Sequence, residues 1–265
     1  MKKFFVIGHP VAHSLSPVIH QAFAAQFDMQ ISYETRDFEP GNFIDCMARL
    51  RREENPVGVN VTVPFKEDAF AYCDEVTDRA RAARAVNTIL FDGTRAIGDN
   101  TDGVGFVRDV IGRCGVPLQG ARVLVCGAGG AARGVVAALK PLGCAKIAVA
   151  NRTHEKAVQL GVGLGVEAVT YVDTAREGWE VIINATSASL SNEAPAIPNV
   201  TFKNAALAYD LMYARQPTPF MRLAAESGAA RVEDGLGMLV EQAAEAFRIW
   251  LGVGPETAPV LARLR

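Results

Sequence analysis

Three polar stretches in the first half of the chain combine hydroxyl, amide, ammonium and carboxylate side chains. They lie at residues 14–17, at residues 60–66, and at residues 85–88 together with 99–102. Each follows a strand end in the predicted pattern, and in open α/β sheets ligands bind at the carboxyl ends of the strands. Groups of these types suit a small ligand with several hydroxyls and one carboxylate. Taken singly, each stretch could equally be a turn.

A glycine-rich turn follows the predicted strand at residues 122–126. Gly127, Gly129 and Ala132 match the pattern G-x-G-x-x-A between a strand and a helix, which is typical of dinucleotide binding. The first glycine permits the tight turn, the second lets the backbone approach a pyrophosphate, and the small Ala132 lets helix and strand pack closely. The alternative is a tight turn without a ligand. The flanking strand and helix favour nucleotide binding over it.

The residues after the next predicted strand indicate NADP rather than NAD. An NAD site has an acidic residue about 20 positions beyond the glycines, where it binds the ribose hydroxyl. Here Asn151, Arg152 and Thr153 occupy that place, with Lys156 in the first turn of the next predicted helix. An acidic side chain would repel a 2′-phosphate, whereas a guanidinium can bind it through two parallel hydrogen bonds. The alternative is a solvated basic turn.

The elements that position these groups alternate between short β-rich runs and helical patterns. The predicted strands are residues 4–7, 31–37, 57–61, 87–91, 123–126, 147–150 and 181–183. This alternation predicts an α/β protein with largely parallel sheet. Ser16 is expected to cap a first helix that runs to about Phe27, with Pro17 in its first turn.

Two domains are predicted. Residues 1–101 with 237–265 form an N-terminal α/β substrate-binding domain, and residues 102–236 form a Rossmann-type NADP-binding domain. The turn cluster at residues 114–120 supports this division, because a new series of strand, glycine turn and helix begins after it. A helix over residues 103–111 connects the two. Residues 237–250 and 255–264 are predicted helices that return to the first domain.

Composition limits the kind of partner. The 265 residues are 49% hydrophobic, and 27 basic residues nearly balance 29 acidic ones, so nucleic acid and anionic membranes are disfavoured and a small molecule is favoured. The five cysteines lack Cys-x-x-Cys spacing and are expected to be reduced thiols. The first apolar run ends at Gly8, and no run approaches the roughly 20 apolar residues of a membrane helix. A cytoplasmic protein is expected.

These stretches and the nucleotide unit together resemble shikimate dehydrogenase along almost the whole chain. The matching motifs are S-x-S-P at 14–17, N-V-T-x-P-F-K at 60–66, A-V-N-T at 85–88, G-D-N-T-D-G at 98–103, G-A-G-G-A at 127–131, N-R-T at 151–153, and further segments at 184–187, 209–213 and 234–243. Matches this numerous and in this order are not expected by chance.

The resemblance implies an oxidoreductase of the shikimate pathway, which leads to chorismate and the aromatic amino acids. The implied reaction is the reversible NADPH-dependent reduction of the C3 carbonyl of 3-dehydroshikimate to shikimate. Lys66 is then the acid/base candidate, oriented by Asp102. The implied substrate contacts are Ser14, Ser16, Asn60, Thr62, Lys66, Asn87, Asp102, Tyr213 and Gln242. The implied cofactor contacts are Asp78, Gly127, Ala128, Gly129, Gly130, Ala131, Asn151, Arg152, Thr153, Lys156, Thr186, Leu211 and Gly235.

Several alternatives stay open at this stage. A quinate/shikimate dehydrogenase of broader specificity shares most of these motifs, and a regulatory module could bind NADPH without turnover. The protein could be a monomer or a homodimer. Residues 188–193 depart from the resemblance, because glycine is expected there. His9, His13 and His20 lie near the first polar stretch, but no cysteine or carboxylate joins them at ligand spacing, so no metal site is predicted.

Overall fold

The computed structural model describes residues 1–265 except for the side chain of Leu190. The chain divides into two compact units, with Met1–Gly105 and Val240–Arg265 in unit one and Phe106–Leu239 in unit two. The boundaries expected from the sequence lie a few residues earlier at both crossings. Which ligand each unit binds stays a prediction.

Unit one contains a mixed six-stranded sheet in the order β2-β1-β3-β5-β6-β4. Its strands are β1 (Lys2–Gly8), β2 (Ile31–Asp37), β3 (Gly58–Val61), β4 (Glu75–Val76), β5 (Thr88–Asp92) and β6 (Arg95–Asp99). Its complete helices are α1 (Ser16–Ala25), α2 (Phe43–Glu54), α3 (Lys66–Tyr72), α4 (Asp78–Ala83) and α10 (Ala258–Leu264). It also contains most of α5 (Asp102–Arg108) and of α9 (Leu236–Leu251), which both cross the boundary between the units.

Only β5 runs against its neighbours in this sheet. Its two-residue connection to β6 contains Gly93 at a φ of +59°, and glycine adopts such a φ without strain. The predicted parallel pairing therefore holds for β1, β2 and β3 but not for the β5–β6 hairpin.

Strand β1 is buried on both faces and joins two cores. Phe5 and Ile7 pack into a cluster with Met47 from α2, whereas Phe4 and Val6 pack into a cluster that includes Trp250 from α9. Because side chains alternate along a strand, consecutive apolar residues supply both faces. Helix α10 packs against α1, so the C-terminal helices return to the first unit as predicted.

The predicted cap of α1 is wrong. Leu15 occupies the N-cap position without a side-chain hydrogen bond, and Ser16 is already the first helical residue. The backbone N–H of Ser16 instead donates to Ser14 Oγ at 3.3 Å, so the preceding serine satisfies that amide. The helix ends at Ala25, two residues before the predicted Phe27.

Unit two contains a parallel six-stranded sheet in the order β12-β11-β10-β7-β8-β9. Its strands are β7 (Arg122–Cys126), β8 (Lys146–Ala150), β9 (Glu167–Val169), β10 (Val181–Asn184), β11 (Leu207–Asp210) and β12 (Val232–Glu233). Its complete α-helices are α6 (Gly130–Leu139), α7 (His154–Leu164) and α8 (Pro219–Glu226). The α/β class predicted from the alternation is confirmed.

The helix predicted over residues 103–111 begins at Asp102 and changes character within unit two. It is α-helical to Arg108 and continues as a π-helix over Asp109–Arg113. Asp109 is buried there, and Arg113 holds it through two hydrogen bonds of 2.6 and 2.8 Å. Among the described residues, no helix combines the length and apolar character that crossing a membrane requires.

Candidate active site

Lys66 and Asp102 form an ion pair in unit one. Each is the first residue of its helix, α3 and α5 respectively. Lys66 Nζ donates to Asp102 Oδ2 at 2.5 Å, and the two side chains are 18% and 7% exposed. The carboxylate is thus nearly enclosed while the ammonium keeps a path to a ligand. Such a pair can present a charged proton donor to a bound molecule.

The second oxygen of Asp102 is held by Asn87. Asn87 Nδ2 donates to Asp102 Oδ1 at 2.8 Å and also lies 3.2 Å from Gln242 Oε1, on α9. Asn87 Oδ1 in turn accepts from the backbone N–H of Thr101 at 2.9 Å. Three of the predicted substrate residues, together with Lys66, are therefore brought into one hydrogen-bonded cluster.

Asn60, in β3, joins the same cluster through Asn87 and Thr88. Its Nδ2 donates to Thr88 Oγ1 and to the carbonyl of Asn87, both at 3.1 Å, and its Oδ1 accepts from the Tyr33 hydroxyl at 2.7 Å. The side chain is 6% exposed. Its amide hydrogens are thus engaged within the protein, and direct substrate contact by Asn60 stays a prediction.

The remaining polar residues of unit one follow β1 and β3. Ser14 Oγ donates to Ser16 Oγ at 3.1 Å, so two of the hydroxyls predicted to contact the substrate are neighbours. Thr62 bonds through its backbone N–H to the carbonyl of Ile7 at 2.8 Å. A Cβ added at Gly8 would collide with Thr62 Cγ2, so the close approach of the two strand ends requires glycine at position 8.

Asp78 and Tyr213 lie apart from this cluster in the chain. Asp78, predicted to contact the cofactor, begins α4 of unit one, is fully exposed and pairs with Arg81 at 3.1 Å. Tyr213, predicted to contact the substrate, belongs to unit two and follows β11. Their roles stay predictions.

The glycine turn of unit two has the form that a pyrophosphate requires. Gly127 has a φ of +123°, and a Cβ there would lie 2.7 Å from the carbonyl oxygen of Ala185. Gly129 is the N-cap of α6, and a Cβ placed on it would meet no atom within 4 Å. Ala128, Gly130 and Ala131 complete the turn, so open space adjoins the free amides at the start of a ten-residue helix.

Arg152 lies in the connection that follows β8, and Lys156 lies in the first turn of α7. Both residues are exposed. Asn151 Nδ2 donates to the carbonyl of Thr153 at 2.9 Å, and Thr153 is the N-cap of the helix. The predicted placement of Lys156 in the first helical turn is confirmed. Two cations that face solvent here fit a 2′-phosphate.

Asp210, fully buried at the end of β11, organises the two neighbouring loops that contain Thr186 and Leu211. The carboxylate accepts hydrogen bonds from Asn184 Nδ2 at 3.0 Å, the Met212 N–H at 3.0 Å, Ser189 Oγ at 2.9 Å and Thr218 Oγ1 at 2.6 Å. Burial raises its pKa, while these hydrogen bonds counteract that shift.

Further contacts at Thr186 and Gly235 shape these loops. Asn184 Oδ1 accepts from the N–H and hydroxyl of Thr186 at 3.1 and 2.7 Å. A Cβ at Gly235 would collide with the carbonyl oxygen of Leu211, which explains glycine at that position. Thr186 is therefore held by hydrogen bonds to Asn184, while the backbones of Leu211 and Gly235 approach closely.

Sequence reasoning missed Tyr33 and Asp210 as parts of the site. Asp210 lies within the matching segment at residues 209–213, so the sequence indicates that the position matters, but it does not indicate that the side chain organises two loops. Tyr33 lies within a strand and belongs to no motif. His20 is also distinctive: burial lowers its pKa to about 3, and its ring stacks on Tyr33.

The three N-terminal histidines have separate environments. His9 Nδ1 bonds Asp37 at 2.6 Å, and this hydrogen bond raises its pKa, whereas His13 is exposed and His20 is buried. Among the side chains that the structure describes, no group of three or more His, Cys, Asp or Glu residues could hold a metal ion.

A parallel sheet with a glycine turn after β7 and an arginine after β8 is characteristic of dinucleotide-binding oxidoreductases, and a second α/β unit here holds a lysine among polar groups. Three family models match the chain: shikimate dehydrogenase substrate binding domain over residues 6–89, shikimate / quinate 5-dehydrogenase over residues 112–204, and shikimate 5'-dehydrogenase C-terminal domain over residues 235–265. The chain belongs to the shikimate dehydrogenase family.

Relatives match over nearly the full length. A shikimate dehydrogenase (NADP(+)) from Methylobacillus flagellatus is 48% identical, over 100% of this chain and 99% of its own. The crystal structure of an Ael1 enzyme from Pseudomonas putida is 40% identical with a TM-score of 0.94, covering 100% and 98% of the two chains. Shikimate 5-dehydrogenase from Thermus thermophilus, in complex with NADP(H) and shikimate, is 36% identical with a TM-score of 0.90, covering 99% and 98%.

Proposed function

We propose that this chain catalyses the reversible NADPH-dependent reduction of 3-dehydroshikimate to shikimate, in the pathway to chorismate and the aromatic amino acids. The observation that carries the proposal is the Lys66–Asp102 pair in the unit that resembles the family's substrate-binding domain. Asn87 bonds both Asp102 and Gln242 beside this pair. Its relatives include an NADP-dependent shikimate dehydrogenase 48% identical over the full length.

Lys66 carries the proton in this proposal. When bound, NADPH would supply the hydride that adds to the C3 carbonyl carbon. The carbonyl oxygen gains negative charge as the bond order falls, so the ammonium of Lys66 stabilises it and donates the proton that completes the hydroxyl. In the reverse direction neutral Lys66 accepts that proton. Asp102 holds the ammonium in place through Oδ2 while Asn87 occupies its Oδ1.

The other residues of unit one bind and orient the substrate. Ser14 and Ser16 donate to its carboxylate, whereas Thr62, Asn87, Asp102 and Gln242 face its ring hydroxyls, with Asn60 and Tyr213 as further contacts. The neighbouring serine hydroxyls and the central placement of Asn87 support this assignment. Polar groups fixed in a nearly buried cluster lose little conformational entropy when the substrate binds.

Unit two binds NADP in this proposal. The turn from Gly127 to Ala131 takes the pyrophosphate, Arg152 and Lys156 take the 2′-phosphate with Asn151 and Thr153 beside them, and Thr186, Leu211 and Gly235 lie along the nicotinamide end. Asp78 is a further proposed contact. The open space at Gly129 and the two exposed cations support the assignment.

A spectrophotometric assay tests the proposal. Purified protein is mixed with shikimate or quinate and with NADP or NAD, and the absorbance of the reduced nicotinamide is followed. Rapid reduction of NADP with shikimate is expected. No turnover with any combination of substrate and cofactor would favour a regulatory NADPH-binding module instead. The intact Lys66–Asp102 pair argues against such a module.

The same assay addresses a second candidate function. The model that matches residues 112–204 describes both shikimate and quinate dehydrogenases, so a broader enzyme would use quinate at a comparable rate. Arg152 and Lys156 favour NADP in either case. We place the enzyme in the cytoplasm as a monomer or homodimer, and its free cysteines are typical of a reducing compartment.

A further inference from the structure

A directed series of hydrogen bonds in unit one ends on Asp102. The Tyr33 hydroxyl donates to Asn60 Oδ1 at 2.7 Å, and Asn60 Nδ2 donates to Thr88 Oγ1 at 3.1 Å. Thr88 Oγ1 then donates to Asn87 Oδ1 at 2.9 Å, and Asn87 Nδ2 donates to Asp102 Oδ1 at 2.8 Å. We call this series the Tyr33 chain. Every donor in it points toward the carboxylate.

The surroundings of Tyr33 fix this direction. Tyr33 is 3% exposed, and burial raises its pKa, so the hydroxyl keeps its proton and can donate. The ring of His20 stacks on it with 4.3 Å between centroids, and His20 stays neutral because burial lowers its pKa to about 3. The end of the Tyr33 chain that lies away from Asp102 therefore carries a proton donor and no charge.

The Asn60 amide transmits the direction because its two ends are chemically different. Its oxygen only accepts and its nitrogen only donates. Donation from Tyr33 to Asn60 Oδ1 therefore holds Nδ2 toward Thr88, and the Thr88 hydrogen is left to reach Asn87. With Oδ1 of Asn87 engaged by Thr88 and Thr101, its nitrogen is directed at Asp102.

We infer that Tyr33 is a positioning residue for the Lys66–Asp102 pair, acting through the Tyr33 chain and without touching the substrate. This inference rests on the proposed function. Hydrogen bonds aligned in one direction polarise one another, so a donor at the far end strengthens the last bond to the carboxylate. The bond to Asp102 Oδ1 leaves Oδ2 to hold the ammonium of Lys66.

A second route from Tyr33 to the substrate has to be separated from this one. The Tyr33 hydroxyl also interacts with Ser16, one of the two serines proposed to bind the substrate carboxylate. Loss of that contact would act on substrate binding, and so on KM. Loss of the Tyr33 chain would act on the reacting pair, and so on kcat.

Tyr33→Phe is the first test, because it removes the hydroxyl and keeps the ring that stacks on His20. Loss of one buried hydrogen bond predicts a fall of about three- to tenfold in kcat, whereas any change in KM for shikimate reports the separate contact with Ser16. Tyr72→Phe is the matched control, since it makes the same change in unit one outside the chain, and it should leave both constants unchanged. An unaltered kcat in a folded Tyr33→Phe protein overturns the inference.

A double-mutant cycle identifies the route. Thr88→Val breaks the chain one step before Asn87, so Tyr33→Phe should add little to its effect on kcat. Effects on kcat that multiply in the double variant would show that Tyr33 acts elsewhere, and would overturn the inference. If Tyr33→Phe does not fold, Thr88→Val decides alone, because an intact kcat after breaking the chain contradicts it.

A readout without turnover separates this inference from the proposed function. The side-chain amide resonances of Asn87, followed by NMR in the full chain, should shift in Tyr33→Phe and not in Tyr72→Phe. If the unaltered protein has no activity with shikimate, the proposed function fails, and the Asn87 resonances still show whether Tyr33 acts on the Asp102 contact. Unchanged resonances would overturn the inference in either case.

Discussion

Lys66 and Asp102 are 36 residues apart in the sequence, and each begins a helix. An aspartate is favoured at a helix N-terminus by the helix dipole, whereas a lysine there is not. The lysine is therefore placed for a reason other than helix stability, and the short bond to Asp102 offsets the cost. This placement is typical of functional residues, where local preferences are overridden.

We propose that Arg152 sets the preference for NADP over NAD. Arg152→Asp should lower the ratio of kcat/KM for NADP to that for NAD by about 10- to 100-fold, because a charge-assisted contact is replaced by repulsion. The side chain is exposed, so the melting temperature should be nearly unchanged. Lys203→Asp makes a similar change at another exposed cation of unit two and serves as the control. Equal use of NADP and NAD by the unaltered protein contradicts the assignment.

At the element scale, the loop after β10 is tied to β11 by the hydrogen bond from Ser189 to Asp210. The resemblance predicts glycine within residues 188–193, whereas in the structure Ser189 anchors the loop to Asp210. Ser189→Ala should lower the free energy of unfolding by about 1–2 kcal/mol, since it leaves a buried carboxylate with one donor fewer. Chemical denaturation measures this change in the free energy of unfolding. Ser191→Ala, at an exposed neighbour, should have no such effect, and equal stability of the two variants would contradict the anchoring role.

The free energy of unfolding should depend on pH through His20, which lies in α1 and stacks on Tyr33 in β2. In the folded chain its pKa is about 3, against 6.5 ordinarily, so only the unfolded chain takes up a proton as the pH falls below about 6.5. Unfolding free energy should therefore drop by about 2 kcal/mol from this group between about pH 7 and about pH 5.

His20→Phe keeps a ring against Tyr33 and should remove that part of the pH dependence. His13→Asn, at an exposed histidine, is the control and should retain it. Denaturant unfolding of each protein at the two pH values measures the difference. The same pH dependence in His20→Phe and the unaltered protein would rule out His20 as its source.

The elements that could be predicted are those with long apolar runs. Strands β1 and β7 are visible because their apolar residues form continuous buried runs. The two-residue strands β4 and β12 show no period to detect. The π-helix contains the ion pair between Arg113 and Asp109, and the sequence pattern there does not distinguish it from an α-helix.

The candidate site likewise contains residues that the sequence could predict and residues that it could not. Residues within motifs, such as Lys66 and Asn87, could be named in advance because their spacing is distinctive. Tyr33 could not, because its role depends on strand β2 pairing beside β1 and on the contact with Asn60. The assembly around Asp210 likewise brings together separate segments of unit two that lie apart in sequence.

At the scale of the whole molecule, each unit is expected to respond to its own ligand. Hydrogen exchange should slow at residues 127–132 and 151–156 with NADP, and at residues 14–17 and 60–66 with shikimate, because a bound ligand suppresses local opening. Mass spectrometry of peptides from each unit measures the effect. NADP protection confined to unit one would contradict the assignment of the units.

The measurement that tests the central claim most directly is the turnover of Lys66→Met with shikimate and NADP. Methionine keeps the aliphatic stem and removes the ammonium, so the melting temperature should change little while charge stabilisation and proton transfer are lost. Steady-state kcat should fall by about 10² to 10⁴ relative to the unaltered protein, and Lys203→Met, the same change at an exposed lysine, should not alter it. A folded Lys66→Met protein with kcat within about threefold of the original would contradict the role of Lys66 in the reaction.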